Sequence, residues 1–273
     1  MKKLHDIIKK ILVADNDIFF AKFVENYFNE KGLNVEIALN GKEAIEKLLE
    51  KQFDLIIVDL VLPKISGKDV ILYINRKCRR VYEEDQIKII LPIVVLTSSA
   101  FIEQAEKLST LNVDFVLPKG PMENLLEAMD LMIYSELSSL NSKQNELLFE
   151  GSIFPREATQ DLLLELEFFE GLFEKLPMGV IVLDRDTRII RTNKKGVDIL
   201  SLPKEDMLGR EVFDVLPKEI LPKLKPAMKK VLTSNENDLS IVNGDLSTPF
   251  SQIWVSLLRQ ESFVGWLMIF LPW

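Results

Sequence analysis

Residues 53–67, FDLIIVDLVLPKISG, restrict the possible folds of this chain more than any other stretch. Leu55, Ile56, Ile57 and Val58 form an unbroken apolar run with no polar face. Such a run reads as a strand buried on both sides, as in a parallel sheet. It ends in one carboxylate, Asp59, and Pro63 and Gly67 punctuate the loop beyond. An acid at the carboxyl end of a buried parallel strand stands where α/β sheets hold ligands. Taken alone, Asp59 reads equally well as a cap for the next loop or helix.

The flanking segments supply the rest of a sheet. Ile11–Ala14 is a short apolar strand ending in Asp15-Asn16-Asp17. Ile18–Lys31 has helical periodicity, with Phe19, Phe23, Val24 and Tyr27 expected on one side and Gly32 as the stop. Val35–Leu39 alternates as a strand. Lys42–Lys51 reads as a helix with Ala44, Ile45, Leu48 and Leu49 inward. Gly67–Arg76 is a third helix, and the charged stretch 76–84 is expected to be a solvated helix end and loop. Ile89–Leu96 is a fourth strand closed by Thr97-Ser98-Ser99, Phe101–Leu111 a fourth helix, and Asp114–Leu117 a fifth strand followed by Lys119. Five strands alternating with five helices predict a flavodoxin-like, doubly wound, five-stranded parallel sheet.

In the strand order 2-1-3-4-5, the ends of strands one and three flank the topological switch point. Asp15, Asn16 and Asp59 then meet there, with Thr97 and Lys119 on the neighbouring strands. Clustered acids repel and favour a cation. Hard oxygen ligands with room for water suit Mg²⁺. A hydroxyl and an ammonium beside them could bind the oxygens of a phosphoryl group on Asp59.

Four motifs in this order, ILVADND, FDLIIVDLVLPKISG, PIVVLTSSA and VDFVLPKG, resemble the receiver domain of bacterial two-component response regulators over about residues 8–135. The resemblance implies that Asp59 is the phosphoacceptor. It implies that Asp15, Asn16, Asp59 and the backbone carbonyl of Val61 hold Mg²⁺. It also implies that Thr97 and Ser98 bind phosphoryl oxygens and that Lys119 pairs with the phosphoryl group. Three positions depart from the family pattern. Asn16 is neutral where a second acid is usual, which is expected to weaken Mg²⁺ binding. Gly120 stands where proline usually follows the lysine, so the loop is expected to differ, because a non-proline cis bond costs ~2.5–4 kcal/mol. Val116 occupies the usual aromatic switch position, with Phe115 one residue before it.

Composition narrows the function classes. The formal charge of −8 argues against a nucleic-acid partner. One cysteine, Cys78, allows no internal disulfide and fits a reducing compartment. One histidine, His5, leaves no material for a His-based triad or a multi-His metal site. The N-terminal run MKKLHDIIKKILVADND has charges inside it, so no secretory leader is expected. The apolar runs are shorter than the ~20 residues a membrane helix needs. A cytoplasmic protein with no membrane contact is expected.

Residues 121–149 read as one long helix, because Leu126, Ile133, Leu140 and Leu147 recur every seven residues. A second helix is expected over Thr159–Leu176. There Leu162, Leu166, Phe169, Phe173 and Leu176 follow a coiled-coil spacing, although a helix covering its own domain explains them as well. Beyond it, LPMGVIVLDRDTRIIRTNKKGVDIL, LPKEDMLGREVFDVL and a closing strand pair resemble a PAS domain. The expected organisation is a receiver over 1–136, a helical linker over 137–176, and an α+β PAS domain with an antiparallel sheet over 177–273. PAS members bind haem, flavin or metabolites, or bind nothing and dimerise. Neither histidine nor cysteine lies in this segment, which argues against His-ligated haem and a cysteinyl-flavin adduct.

The sequence is expected to encode a response regulator rather than an enzyme. A partner histidine kinase or phosphotransfer protein would phosphorylate Asp59, and the linker and PAS domain would form a homodimer. Two rival readings stay open. One is the sensory front of a larger histidine kinase or cyclase. The other is a phosphorylation-independent scaffold with a degenerate receiver.

Overall fold

The computed structural model describes residues 4–78, 81–84, 87–90, 93–97, 113–120, 122–134, 146–147, 168–233, 239–260 and 263–273. The chain forms two compact units, Met1–Asp161 and Leu162–Trp273. The expected fourth helix at 101–111, Ser98, and residues 159–167 of the expected linker helix lie outside the described residues.

The first unit begins with a short helix α1 (Leu4–Ile7), then β1 (Lys10–Ala14), α2 (Ile18–Glu30), β2 (Asn34–Ala38), α3 (Gly41–Glu50), β3 (Leu55–Val58) and α4 (Gly67–Tyr73). A π-helical turn, Ile74–Cys78, extends α4. Next come β4 (Val81–Glu84), β5 (Ile87–Ile90), β6 (Ile93–Thr97), β7 (Phe115–Pro118), α5 (Met122–Ile133) and a two-residue strand β8 (Glu146–Leu147). The sheet order is β2-β1-β3-β6-β7-β8, parallel throughout. This is the doubly wound order 2-1-3-4-5 with one short strand added at the edge.

Successive strand residues face opposite sides, so one sheet needs two cores. Ile11, Val13, Leu55, Ile57, Phe115 and Leu117 join one cluster with Val24 and Phe28 of α2 and Leu125, Met129 and Ile133 of α5. The alternate residues Leu12, Ile56 and Val58 are also buried, as are Ala44 and Ile45 of α3 and Val70 and Ile71 of α4.

Local chemistry sets the helix starts. The carboxylate of Asp17 accepts from the N–H groups of Phe19 and Phe20 and caps α2. Asn40 caps α3 by accepting from Glu43 N–H, while Glu43 accepts from Leu39 N–H, so two free donors are satisfied reciprocally. Gly32, at φ +78°, ends the α2 connection in a conformation other residues avoid.

Several expectations are corrected. Phe19 is 85% exposed; α2 instead buries Ala21, Val24 and Phe28, with Phe23 and Tyr27 only partly covered. Leu49 is exposed at 65%, one position off the buried stripe of α3. The charged stretch 76–84 is not simply loop. Val81–Glu84 pairs antiparallel with Ile87–Ile90, aligning Glu83 with Lys88. The apolar run at 89–96 is therefore shared between two strands, Ile87–Ile90 and Ile93–Thr97. The helix expected over 121–149 is not continuous. Glu146–Leu147 pairs parallel with β7, so Leu147 belongs to a strand. Ile133 is fully buried in the core, so the seven-residue repeat marks the domain-facing stripe of α5 rather than an exposed seam.

The second unit opens with α6 (168–175). There follow β9 (Gly179–Leu183), β10 (Ile189–Thr192), α7 (Lys194–Leu200), α8 (Lys204–Met207), α9 (Val212–Val215), a 3₁₀ turn (Lys218–Ile220), α10 (Leu221–Thr233), β11 (Ser240–Asn243), β12 (Gln252–Gln260) and β13 (Phe263–Leu271). The antiparallel sheet has the order β10-β9-β13-β12-β11. Trp266, Met268 and Phe270 on β13 face the helices with Ile253, Val255 and Phe250, while Leu267, Ile269 and Leu271 on the opposite face are half-buried. The Thr159–Leu176 helix is expected to cover that face, yet Phe168, Phe169 and Leu172 of α6 are all exposed.

Glycine fixes the loop that follows β3. A Cβ on Gly67 would lie 1.8 Å from the carbonyl oxygen of Asp59, and one on Gly41 would lie 1.9 Å from that of Ile65. Both neighbours are backbone, so neither yields cheaply. Gly67→Ala is expected to destabilise the first unit by about 1–3 kcal/mol. An unchanged urea midpoint would show that the loop tolerates the displacement.

Candidate functional site

The carboxyl ends of β1, β3 and β7 converge, as the parallel order requires. Asp15 directly follows β1 and Asp59 follows β3, and Asp59 N–H donates to Ala14 C=O across the pair at 2.9 Å. Lys119 directly follows β7. Its ammonium lies 2.7 Å from Asp15 Oδ2 and 2.7 Å from Asp59 Oδ2, bridging the two carboxylates. The Asp15 side chain is only 2% exposed and that of Asp59 8%. The remaining oxygens are also engaged. Asp17 N–H donates to Asp15 Oδ1 at 2.9 Å, and Val61 N–H to Asp59 Oδ1 at 3.3 Å. The Lys119 ammonium also sits 5.0 Å from the centre of the Phe20 ring, a cation–π contact that holds its stem against α2.

Burial holds the Asp15 carboxyl above the usual carboxylate pKa, with repulsion from Asp59 in the same direction. The Lys119 ammonium and the Asp17 N–H oppose that rise without cancelling it. Burial also disfavours charge on Lys119, but the two carboxylates outweigh it and push its pKa up. Two negative charges sharing one positive charge leave a site that is still short of cation.

The remaining expected site residues are placed unequally. Asn16 is exposed beside Asp15, and Val61 is 48% exposed beyond Asp59. Thr97 ends β6 in register with Pro118 of β7, which puts its backbone at the same sheet edge. Ser98 lies outside the described residues. Asp17 does not replace the missing acid, because its carboxylate is committed to the α2 cap. Among the described residues no group of three or more acidic, histidine or cysteine side chains forms a metal site. The acidic pair, the Val61 carbonyl and the Asn16 amide are hard oxygen donors. Mg²⁺ takes one or two carboxylates and keeps several waters, so the set fits that ion with one charge fewer than three acids would supply. Phe115 cannot take the aromatic role from one position back. It is buried in the core on the α2 and α5 side, and Val116 points to the opposite face.

The second unit holds a residue that sequence reasoning missed. Asn193 is fully buried after β10. Its Oδ1 accepts from Val180 N–H and Gly196 N–H, each at 2.9 Å. Its Nδ2 donates to the carbonyls of Phe173 and Met178, each at 3.0 Å. One side chain thus ties α6, β9 and α7 together. Its sequence signal was only a polar residue closing an apolar strand before a helix, which is the ordinary mark of an N-cap.

A doubly wound parallel sheet with buried acids at its switch point, followed by a five-stranded antiparallel sheet packed on short helices, makes a two-module architecture. Residues 11–130 match the family profile described as "Response regulator receiver domain", and residues 173–238 match the one described as "PAS fold". The chain therefore carries a response regulator receiver domain followed by a PAS fold. The "Probable transcriptional regulator ycf29" of Pyropia yezoensis is 28% identical over 207 residues, which cover 76% of this chain and 75% of that protein. The response regulator ArlR of Staphylococcus saprophyticus is 25% identical over 226 residues, 80% of this chain and 90% of that one. Among solved structures, the chemotaxis response regulator CheY4 of Vibrio cholerae shares 23% identity with a TM-score of 0.38, covering 46% of this chain and 98% of its own. No helix among the described residues is long and apolar enough to cross a membrane.

Proposed function

We propose that Asp59 accepts a phosphoryl group from a partner histidine kinase or phosphotransfer protein, and that the charge it acquires is passed through the helical linker to the PAS fold. The observation that carries this reading is the Lys119 ammonium, 2.7 Å from both Asp15 Oδ2 and Asp59 Oδ2. In the transfer, a carboxylate oxygen of Asp59 forms the new bond to phosphorus as the bond to the donor breaks. Asp15, Asn16, Asp59 and the Val61 carbonyl would hold Mg²⁺, which when bound supplies positive charge to the phosphoryl oxygens. Lys119 pairs with the phosphoryl group, and Thr97 and Ser98 supply hydroxyl donors to it. The product carries about −1.5 to −2 charges at neutral pH in place of the single negative charge of the carboxylate, and the gain draws Lys119 and Thr97 inward. The output is a change in pairing of the linker and PAS segment in a homodimer. The formal charge of −8 favours a protein partner over a nucleic acid. The reading places the chain in the cytoplasm.

Intact mass after incubation with acetyl phosphate and Mg²⁺ tests the first step. A single phosphoryl adduct is expected, and none in Asp59→Asn. Absence of an adduct in the native chain, together with absence of Mg²⁺ binding, would overturn the relay and favour a phosphorylation-independent scaffold. The solution mass with and without a phosphoryl mimic tests the second step, and an unchanged monomer in both states would overturn it.

A further inference from the structure

The second unit contains a cavity of about 430 Å³ between α10, the turn after β9 and the β12–β13 pair. The volume falls within the ~300–1,000 Å³ that holds a small organic ligand. Its walls are apolar, with Met228 on α10, Leu257 on β12 and Trp266 on β13. Three cations, Arg185, Lys225 and Lys229, line it as well, and no carboxylate among the described residues does. All three are exposed, and none forms an ion pair among the described residues. Lys225 is held with its ammonium 5.0 Å from the centre of the Phe213 ring, another residue of the lining. An apolar pocket whose described lining gathers three cations and holds no acid is complementary to an anion with an apolar body.

We propose that this cavity binds a small amphipathic carboxylate, with its chain or ring against Met228, Leu257 and Trp266 and its head group paired with Arg185, Lys225 and Lys229. Burial of the apolar part supplies affinity, and the charge-assisted hydrogen bonds at the mouth select the anion over a neutral analogue. The inference rests on reading the PAS fold as a sensing module, but it does not depend on Asp59.

Titration of the full chain with decanoate, followed by calorimetry and by tryptophan fluorescence, tests it. One-to-one binding is expected, with decanol at least tenfold weaker and acetate undetectable. The double variant Lys225→Glu/Lys229→Glu changes only exposed side chains. It should lose at least tenfold for decanoate and leave decanol unchanged, whereas Lys225→Arg/Lys229→Arg should retain binding. Equal binding of decanoate and decanol, or binding indifferent to the charge reversal, would overturn the proposal. So would sedimentation of the chain with phosphatidylglycerol vesicles when decanoate in solution fails to bind, because the cations would then serve a membrane surface. Failure to bind decanoate while Asp59 still takes a phosphoryl group and the solution mass still responds would remove the pocket and leave the relay standing. Decanoate binding without an adduct would do the reverse.

Discussion

Lys119→Ala is expected to slow phosphorylation of Asp59 by acetyl phosphate at least about 100-fold, the scale set by loss of one preorganised charge beside a reacting anion. The physical case begins with what remains. Asp15 and Asp59 are nearly buried, and the ammonium 2.7 Å from both is the cation that they share. Removing one member of a buried charge cluster costs about 3–5 kcal/mol, because the partners keep their desolvation cost and lose their compensation. The first unit of the variant should therefore be destabilised at neutral pH as well as slow. The sign of its pH dependence follows from Asp15. Its folded pKa already lies above the usual value, chiefly through burial, so ionising it opposes folding. The contribution of Asp15 is fully present below the unfolded carboxylate value and is lost as pH rises through the folded one. Without Lys119 the folded value rises further and the window widens. The stability gap between variant and native chain should narrow as pH falls towards the carboxylate range. Lys119 in the native chain behaves oppositely at the alkaline end. Its raised pKa stabilises the fold below the ordinary lysine value, and that stabilisation is lost as pH climbs through the folded one. Chemical denaturation of both proteins across pH checks each statement. A gap independent of pH would show that Lys119 acts through packing on Phe20 rather than through its charge.

Asn193→Ala is expected to have the largest effect on stability of any single change in the second unit. The side chain makes four hydrogen bonds, accepting two and donating two, from a position with no solvent exposure. Alanine leaves two N–H groups and two carbonyls to find other partners in a closed space. Each orphaned buried group costs about 1–3 kcal/mol, so a loss near 4 kcal/mol is expected even if water reaches some of them. For a unit of this size that lowers the melting temperature by at least about 15 °C. The change also frees α6, because the Phe173 carbonyl is one of the four partners. Exchange protection of the α6 amides should fall before that of β9 and β13. Under the relay reading, the variant should still accept a phosphoryl group and should lose the response of the PAS fold. Asn193→Asp is a useful companion, since it keeps the two accepted bonds and loses the two donated ones. Equal melting temperatures for the native chain and both variants would show that the network adds nothing.

The β3 run and its terminal acid were legible in the sequence because they depend on local pattern. A strand buried on both faces must be apolar throughout, and its polar end must reach the sheet edge. The sheet order and the meeting of Asp15, Asp59 and Lys119 follow from the alternation of strands and helices, which leaves few topologies open. The second unit was legible for the same reason, through its spacing of turns and strands.

Other features depended on partners distant in the chain, and only the tertiary structure decided them. Leu49 and Phe19 are apolar, yet each lies outward because the buried stripe of its helix was set by the sheet beneath it. The seven-residue spacing of Leu126 and Ile133 fits a coiled coil and a domain-facing helix equally well, and burial of Ile133 in the core selects the second. Asp17 could have joined the acidic pair by sequence proximity, but the free N–H groups of α2 claim its carboxylate. Nothing in the sequence set Asn193 apart, and it became a shared partner only when β9, α6 and α7 closed around it. Periodicity reports which residues must leave water. It does not report which of several apolar or polar groups will meet, because that is fixed by the packing of elements far apart in the chain.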